Sequence, residues 1–378
     1  MQVYQQSLQQ NETALEQCTF VPNVILLFVS PGYGDPQSLI DTLHHKYPTA
    51  NIAGCSTSGE IIDTNVDDNT VVINALKFER TRHRLESIQL TEEVDSREAG
   101  RRLTEILAAD DLRHVLVLSD GLLVNGADLV EGLTESVSNK VSITGGLAGD
   151  GVDFNDTFTI QDNKILRGSV LGIGLYGNDL QVNYSSLGGW DSFGIERKVT
   201  RSDKNVLYEL DGKPALDLYK SFLGPHADEL PGSALLFPLS LRVNESEDPL
   251  VRTILTVNEE ENSMTFAGNI PQGSYVRLMK ANVDRLINGA EGSANIAKNS
   301  MKEEAEFAVL ISCVGRRLVL KQNVEEEVEA VREVLGEKPF ITGFYSYGEL
   351  APFGKFQPCQ LHNQTMTITT FSEVAIQS

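Results

Sequence analysis

The amino-acid sequence predicts an α/β protein of two domains, each with a mainly buried mixed sheet flanked by helices and recurring β-α-β units. Three observations carry this expectation. The 378 residues exceed one ordinary core and suit two or three domains. Apolar residues make up 41% and charged residues 22%, which supplies a sizeable core and argues against wholesale disorder. A strand–helix–strand pattern with a shared ending occurs three times along the chain.

The first unit spans 24–62. Val24 to Val29 is a continuous apolar run of strand length, the pattern of a strand buried on both faces. Asp35-Pro36 opens a helix, because Asp caps and Pro is tolerated in the first turn. Leu39, Ile40 and Leu43 form its apolar stripe, and Pro48 closes it. The second strand runs into Gly54-Cys55-Ser56-Thr57-Ser58-Gly59-Glu60. The second unit spans 114–151, with a strand from His114 to Ser119, a helix from about Ala127 to Val137, and the ending Gly145 to Asp150. The third spans 306–350, with a strand from Phe307 to Ser312, a helix from Val324 to Leu335, and the ending Gly343 to Glu349. Each ending reads Ile, then Ala or Thr, then Gly, a short loop, and a second Gly followed by an acid. Phe266-Ala267-Gly268 to Gly273 reads as a decayed fourth copy without the acid. Glycine at a strand end lets backbone approach a ligand, and strand ends of α/β sheets are where ligands sit. A tight turn holding duplicated segments together accounts for the same pattern.

Between the second and third units the pattern changes. Residues 154–194 read as glycine-punctuated strands, and Trp190 plugs a glycine-rich corner. Residues 204–223 read as strand, Asp211-Gly212 turn and a helix opened by Pro214. The stretch 224–234 reads as a surface loop. The domain boundary is expected near residue 190, giving domains 20–190 and 191–375.

Composition excludes several function classes. A net charge of −22 argues against unaided nucleic-acid binding and against docking on an anionic membrane. No apolar run is long enough for membrane insertion, and Met1 to Gln17 has neither a basic start nor an apolar stretch. The four cysteines are scattered without a CxxC pair, which fits a reduced cytoplasm and no structural zinc. There is no Walker A sequence, no GxGxxG between strand and helix, and no GxSxG elbow. Cys55 reads as a small buried strand-end residue rather than a nucleophile. His44-His45 point to different helix faces and do not share a metal. No catalytic constellation emerges, so the chain is expected not to be an enzyme.

Three segments carry a resemblance. Gly54 to Glu60 is one; Gly343-Phe-Tyr-Ser-Tyr-Gly-Glu-Leu-Ala-Pro352 and Leu361-His-Asn-Gln-Thr365 are the others. In this order they resemble the signatures of the FIST family, whose members join an N-terminal and a C-terminal FIST domain. The resemblance covers roughly residues 20 to 375. It implies a cytoplasmic sensor that binds a small-molecule ligand and acts on a histidine kinase, a cyclic-di-GMP enzyme or a chemotaxis protein. Stand-alone members include NosP-type haemoproteins that sense nitric oxide.

Two ligand readings follow, and a third remains open. Haem iron takes an axial ligand, most often histidine, in an apolar pocket. His362, between Phe353, Phe356, Leu361 and the alternating strand from Thr365 to Phe371, is the candidate, with His226 next. The alternative for His362 is a structural side chain tying Asn363-Gln364-Thr365 to the Tyr345–Tyr347 turn. A metabolite such as an amino acid would instead use the hydroxyls of Ser56, Thr57 and Ser58. Glu60 and Glu349 would pair an ammonium group, and Tyr345 and Tyr347 would supply walls. The two glutamates equally serve as caps for local backbone amides. The third reading is a scaffold whose loops bind only a protein partner.

Overall fold

The computed structural model describes residues 1–10, 12, 18–138, 140–244, 249–301, 303–353 and 357–374. Residue 375, the expected end of the second domain, lies outside them. All three units form parallel strand pairs: Val24–Val29 with Asn51–Ser56, Leu112–Ser119 with Ser142–Leu147, and Phe307–Cys313 with Phe340–Ser346. Helices Pro36–Lys46, Gly126–Glu135 and Val324–Leu335 make the crossovers. The first starts where Asp35 accepts from Ser38 N at 3.1 Å. The second starts where Asn125 accepts from Ala127 N and Asp128 N, and it ends two residues before the expected Val137.

The sequence repeat belongs to a larger one. Three six-stranded sheets share one strand order, each with the parallel pair in the middle. On one side of the pair lie two antiparallel strands of the same repeat: Val71–Lys77 and Gln2–Leu8, Ser169–Tyr176 and Arg82–Gln89, Met366–Glu373 and Leu180–Leu187. On the other side lies a hairpin donated by a different repeat. The first repeat's hairpin, Glu60–Ile62 with Asn65–Asp67, pairs with strand Phe340–Ser346 of the third. The second's, Thr159–Gln161 with Lys164–Leu166, pairs with Asn51–Ser56 of the first. The third's, Gly348–Pro352 with Cys359–His362, pairs with Ser142–Leu147 of the second. The exchange closes a ring. Phe28, Leu118, Ile311 and Phe344 are among the side chains of a common core drawn from all three sheets.

The repeated glycine of the Ile-x-Gly ending has a packing cause. Gly54, Gly145 and Gly343 sit opposite Leu27, Val117 and Leu310 in the three registers. A Cβ on each would lie 2.3, 1.9 and 1.8 Å from that partner's carbonyl oxygen. Any side chain there would push the parallel strands apart.

The third repeat carries an inserted module between strand Leu180–Leu187 and helix Val283–Asn299. It is an antiparallel sheet running from Asp191–Asp203 to Tyr275–Lys280, with helix Ala215–Leu223 packed on it. Leu207, Leu216, Tyr219, Phe266 and Val276 belong to a core of its own. Phe266-Ala267-Gly268 ends strand Ser263–Phe266 of this sheet, which pairs antiparallel with Ile254–Asn258. It is not a fourth β-α-β unit: its neighbours are hairpin strands and no crossover helix intervenes. Residues 224–234, expected as a loop, wind into the short turns Gly224–Glu229 and Gly232–Leu236. No helix among the described residues is long and apolar enough to cross a membrane.

Candidate functional site

The strand-end turns follow one pattern around the ring. Ser30, Asp120 and Cys313 each follow or end the first parallel strand. The Ser30 and Asp120 side chains accept the backbone amides of Asn69 and Gly168, and Gln364 is the corresponding residue in the third repeat. Those three residues share a left-handed backbone, with φ of 59°, 60° and 62°. The next residue in each repeat is Thr70, Ser169 or Thr365, and its hydroxyl braces the start of an exchanged hairpin. Thr70 donates to Glu60 at 2.6 Å, and Thr365 donates to Glu349 at 2.9 Å. Ser169 pairs with Thr159 at 2.5 Å. Glu60, Glu349 and Thr159 occupy the same register position, opposite Phe344, Gly146 and Cys55.

This placement accounts for most of the residues singled out from the sequence. Glu60 also accepts from the Thr57 hydroxyl and from Thr70 N. Glu349 also accepts from Ser346 Oγ at 2.8 Å and Thr365 N at 3.2 Å. Both carboxyls are fully buried. Burial outweighs these bonds and pushes Glu60 up to about 7 and Glu349 up to about 8. Ser56 Oγ accepts from Phe158 N, and Ser58 Oγ accepts from Gly151 N, both at 3.0 Å. The Arg317 guanidinium donates to Ser58 O and to Asp68, closing that turn from outside. Tyr345 is buried and donates to Glu327 at 2.6 Å. Burial raises the Cys55 thiol well above its ordinary value.

Tyr347 is the exception, because it faces a cavity. Its ring stacks on Phe154 with centroids 4.7 Å apart, and its hydroxyl donates to Asp150. Asp150 accepts as well from the amides of Phe154, Asn155 and Asp156, holding Phe154 at a left-handed φ of 49°. The cavity has a volume of about 620 Å³. It lies at the C-terminal ends of the parallel strands of the second and third repeats, with the inserted module as its other wall. The second repeat contributes Gly121 to Gly126 and Leu147; the third contributes Cys313, Val314, Gly315, Tyr347 and Leu361. The module contributes Asn205, Pro231, Gly232, Leu235, Thr253 to Thr256, and Phe266 to Gly268.

Asp120 shapes the 121–126 wall by accepting from Leu122 N, Leu123 N and the Thr157 hydroxyl. The Leu361–Thr365 segment fastens the module to the ring. Leu361 O and Asn363 Oδ1 accept from Arg252 at 3.0 Å and from Thr253 N at 3.4 Å. Gln364 O accepts from the Trp190 indole at 2.9 Å. Burial lowers the Arg252 guanidinium to about 10, and three carbonyl oxygens receive it.

The histidines stand away from this cavity. His362 is buried, its Nε2 lies 3.0 Å from Ala351 O, and its ring stacks on Phe353. Burial holds its pKa down to about 4, so the ring is neutral and donates that bond. Leu361 faces the cavity, and alternation along the strand turns His362 the other way. His226 is exposed in the 224–229 turn, against Phe237. None of the six histidines lines the cavity, so its walls do not fit a histidine-ligated haem. Reading the sequence alone misses the Gly121–Gly126 wall and Thr253. The Leu122-Leu123-Val124 run inside a loop was the signal for the wall; nothing in the sequence singles out Thr253.

A three-repeat α/β ring whose strand ends open into a largely apolar cavity, with the inserted module as its other wall, has the kind of site that small molecules occupy. The FIST N domain model matches residues 23–213 and the FIST C domain model matches residues 215–352. The chain belongs to the FIST family, whose domains are sensory ligand-binding domains rather than enzymes. It is 22% identical over 334 residues to the uncharacterized protein MJ1623 of Methanocaldococcus jannaschii. That match covers 83% of this chain and 63% of the relative, so the chain spans under two thirds of the relative's length. Among solved structures, a chorismatase shares 8% identity over 99% of this chain and 98% of its own, with a TM-score of 0.37. A cyanuric acid hydrolase from A. caulinodans shares 8% identity over 78% of this chain and all of its own, with a TM-score of 0.18.

Proposed function

We propose that this chain is a cytoplasmic sensor that binds a small molecule in the cavity between ring and module. Its response passes to a separate signalling protein, a histidine kinase or a cyclic-di-GMP enzyme, as the FIST family membership implies. The observation that carries the reading is that the cavity's walls come from both bodies. A ligand bridging them favours one relative arrangement, and only such differential binding shifts an equilibrium. The haem and nitric-oxide reading stands behind this one, because the histidines are engaged or remote. The amino-acid reading loses Ser56, Thr57, Glu60 and Glu349 to bonds inside the fold.

A thermal-shift screen of small molecules tests the proposal on the parent and on Leu255→Trp, which fills the cavity from its exposed rim. A ligand at about 100 times its Kd stabilises the parent by roughly 3 kcal/mol. The expected result is a hit whose stabilisation disappears in the variant. Hits that act equally on both proteins would move the ligand site elsewhere. Protein purified with adequate haem supply is expected to show no Soret band; a band lost in His362→Ala would restore the haem reading.

A further inference from the structure

Taking the cavity as the sensor's ligand site, we propose that its ligand is an uncharged, predominantly apolar small molecule. The inference rests on that reading and narrows it. Among the described residues, no charged side chain lines the cavity. An ion entering there would lose its water without gaining a counter-charge, at a cost of several kcal/mol. Four backbone donors on the 121–128 side are also committed. Leu122 N and Leu123 N serve Asp120, while Ala127 N and Asp128 N serve the Asn125 cap. A carboxylate or phosphate therefore finds no open row of amides at the start of helix Gly126–Glu135.

Two positive features define what does fit. The rim is apolar and open: Leu123 is 64% exposed, Phe154 48% and Leu255 41%. Such side chains favour an apolar or aromatic body entering from water. Inside, the walls are largely apolar: Val124, Leu147, Leu235, Ile254, Phe266 and Leu361 line the cavity.

Fluorescence titration of the full chain with N-phenyl-1-naphthylamine tests this. The probe is neutral, has two aromatic bodies and carries one N–H. Saturable uptake with blue-shifted emission is expected, abolished in Leu235→Trp and in Leu255→Trp. The second variant lies at an exposed position and keeps the test valid if the first misfolds. Displacement of the probe by L-glutamate, L-lysine or L-leucine would overturn the ligand class and leave the cavity as the site. Probe uptake unaffected by both tryptophan variants would overturn the cavity itself.

Discussion

At the scale of single residues, the two buried glutamates show how an apparent ligand group serves the fold. Glu60 and Glu349 each gather three donors from their own repeat, yet burial still pushes them to about 7 and about 8. A carboxyl raised in the folded state holds its proton there at a pH where the unfolded chain has released it. Its stabilising contribution is therefore present below the ordinary value of 4.5 and is lost as pH rises through about 7 and 8. Chemical denaturation of the parent at pH 5, 6.5 and 8, beside the double variant Glu60→Gln/Glu349→Gln, reads this directly. The gap in unfolding free energy between the two proteins is expected to shift toward the variant by roughly 6 kcal/mol across that window. The comparison is needed because His114 and His362 are held neutral by burial, which tilts both curves the other way below pH 6.5. A gap that is constant with pH would mean that neither carboxyl is protonated in the native state.

Among the secondary-structure elements, the helix starts and the three parallel pairs are legible in the sequence because their causes are local. Asp35-Pro36 sets a start within four residues, and Val24 to Val29 carries its own burial signal. The exchange of hairpins is not legible. Glu60–Ile62 and Thr159–Gln161 are three-residue strands, too short for a periodic pattern, and their partner sheets are chosen by packing between repeats. The repeated glycines are visible as a pattern, but their cause is a carbonyl oxygen on the neighbouring strand, which only the register reveals. The cavity wall at Thr253 is hidden for a similar reason, since it depends on where a whole module docks. One buried network links these elements. Arg316 on helix Val314–Leu320 pairs with Glu327 on helix Val324–Leu335 at 2.7 Å, both fully buried. Glu327 also accepts from Ser312 and Tyr345. Glu327→Gln leaves a buried guanidinium without its counter-charge and is expected to destabilise the protein by about 3 kcal/mol, seen as a lower denaturant midpoint at unchanged slope. A loss below about 1 kcal/mol would show that the carbonyl oxygens around Arg316 suffice.

For the whole molecule, ring and module are two bodies with separate cores, fastened at the Leu361–Thr365 segment and at a second joint. The module's apolar cluster contains no ring residue, and the second joint is a small cluster of Trp190, Met279, Leu286 and Leu320. Both connecting chains run side by side through it. A Cβ on Gly189 would lie 2.0 Å from Arg285 O, and one on Gly289 would lie 2.7 Å from Gly188 O. Arg316 donates to Gly188 O on the way into the module and to Leu286 O on the way out. The residue before it, Gly315, lines the cavity. A ligand pressing on that wall therefore acts one residue from the group that holds both connections, which gives binding a short mechanical route to the angle of the module. Because the two chains enter and leave together, a short Gly-Ser linker spans the gap when residues 192–280 are removed. The shortened chain is expected to keep the ring: its strand Leu180–Leu187 still pairs with Met366–Glu373, and Asp191 still reaches Arg285. Cooperative unfolding with native-like far-UV circular dichroism is the expected reading, at a lower midpoint because Leu361 and the Trp190 corner lose their cover. Ligand stabilisation seen in the parent should vanish, since the module supplies Thr253 and half the wall. A shortened chain that unfolds without a cooperative transition would show that ring and module form a single folding unit.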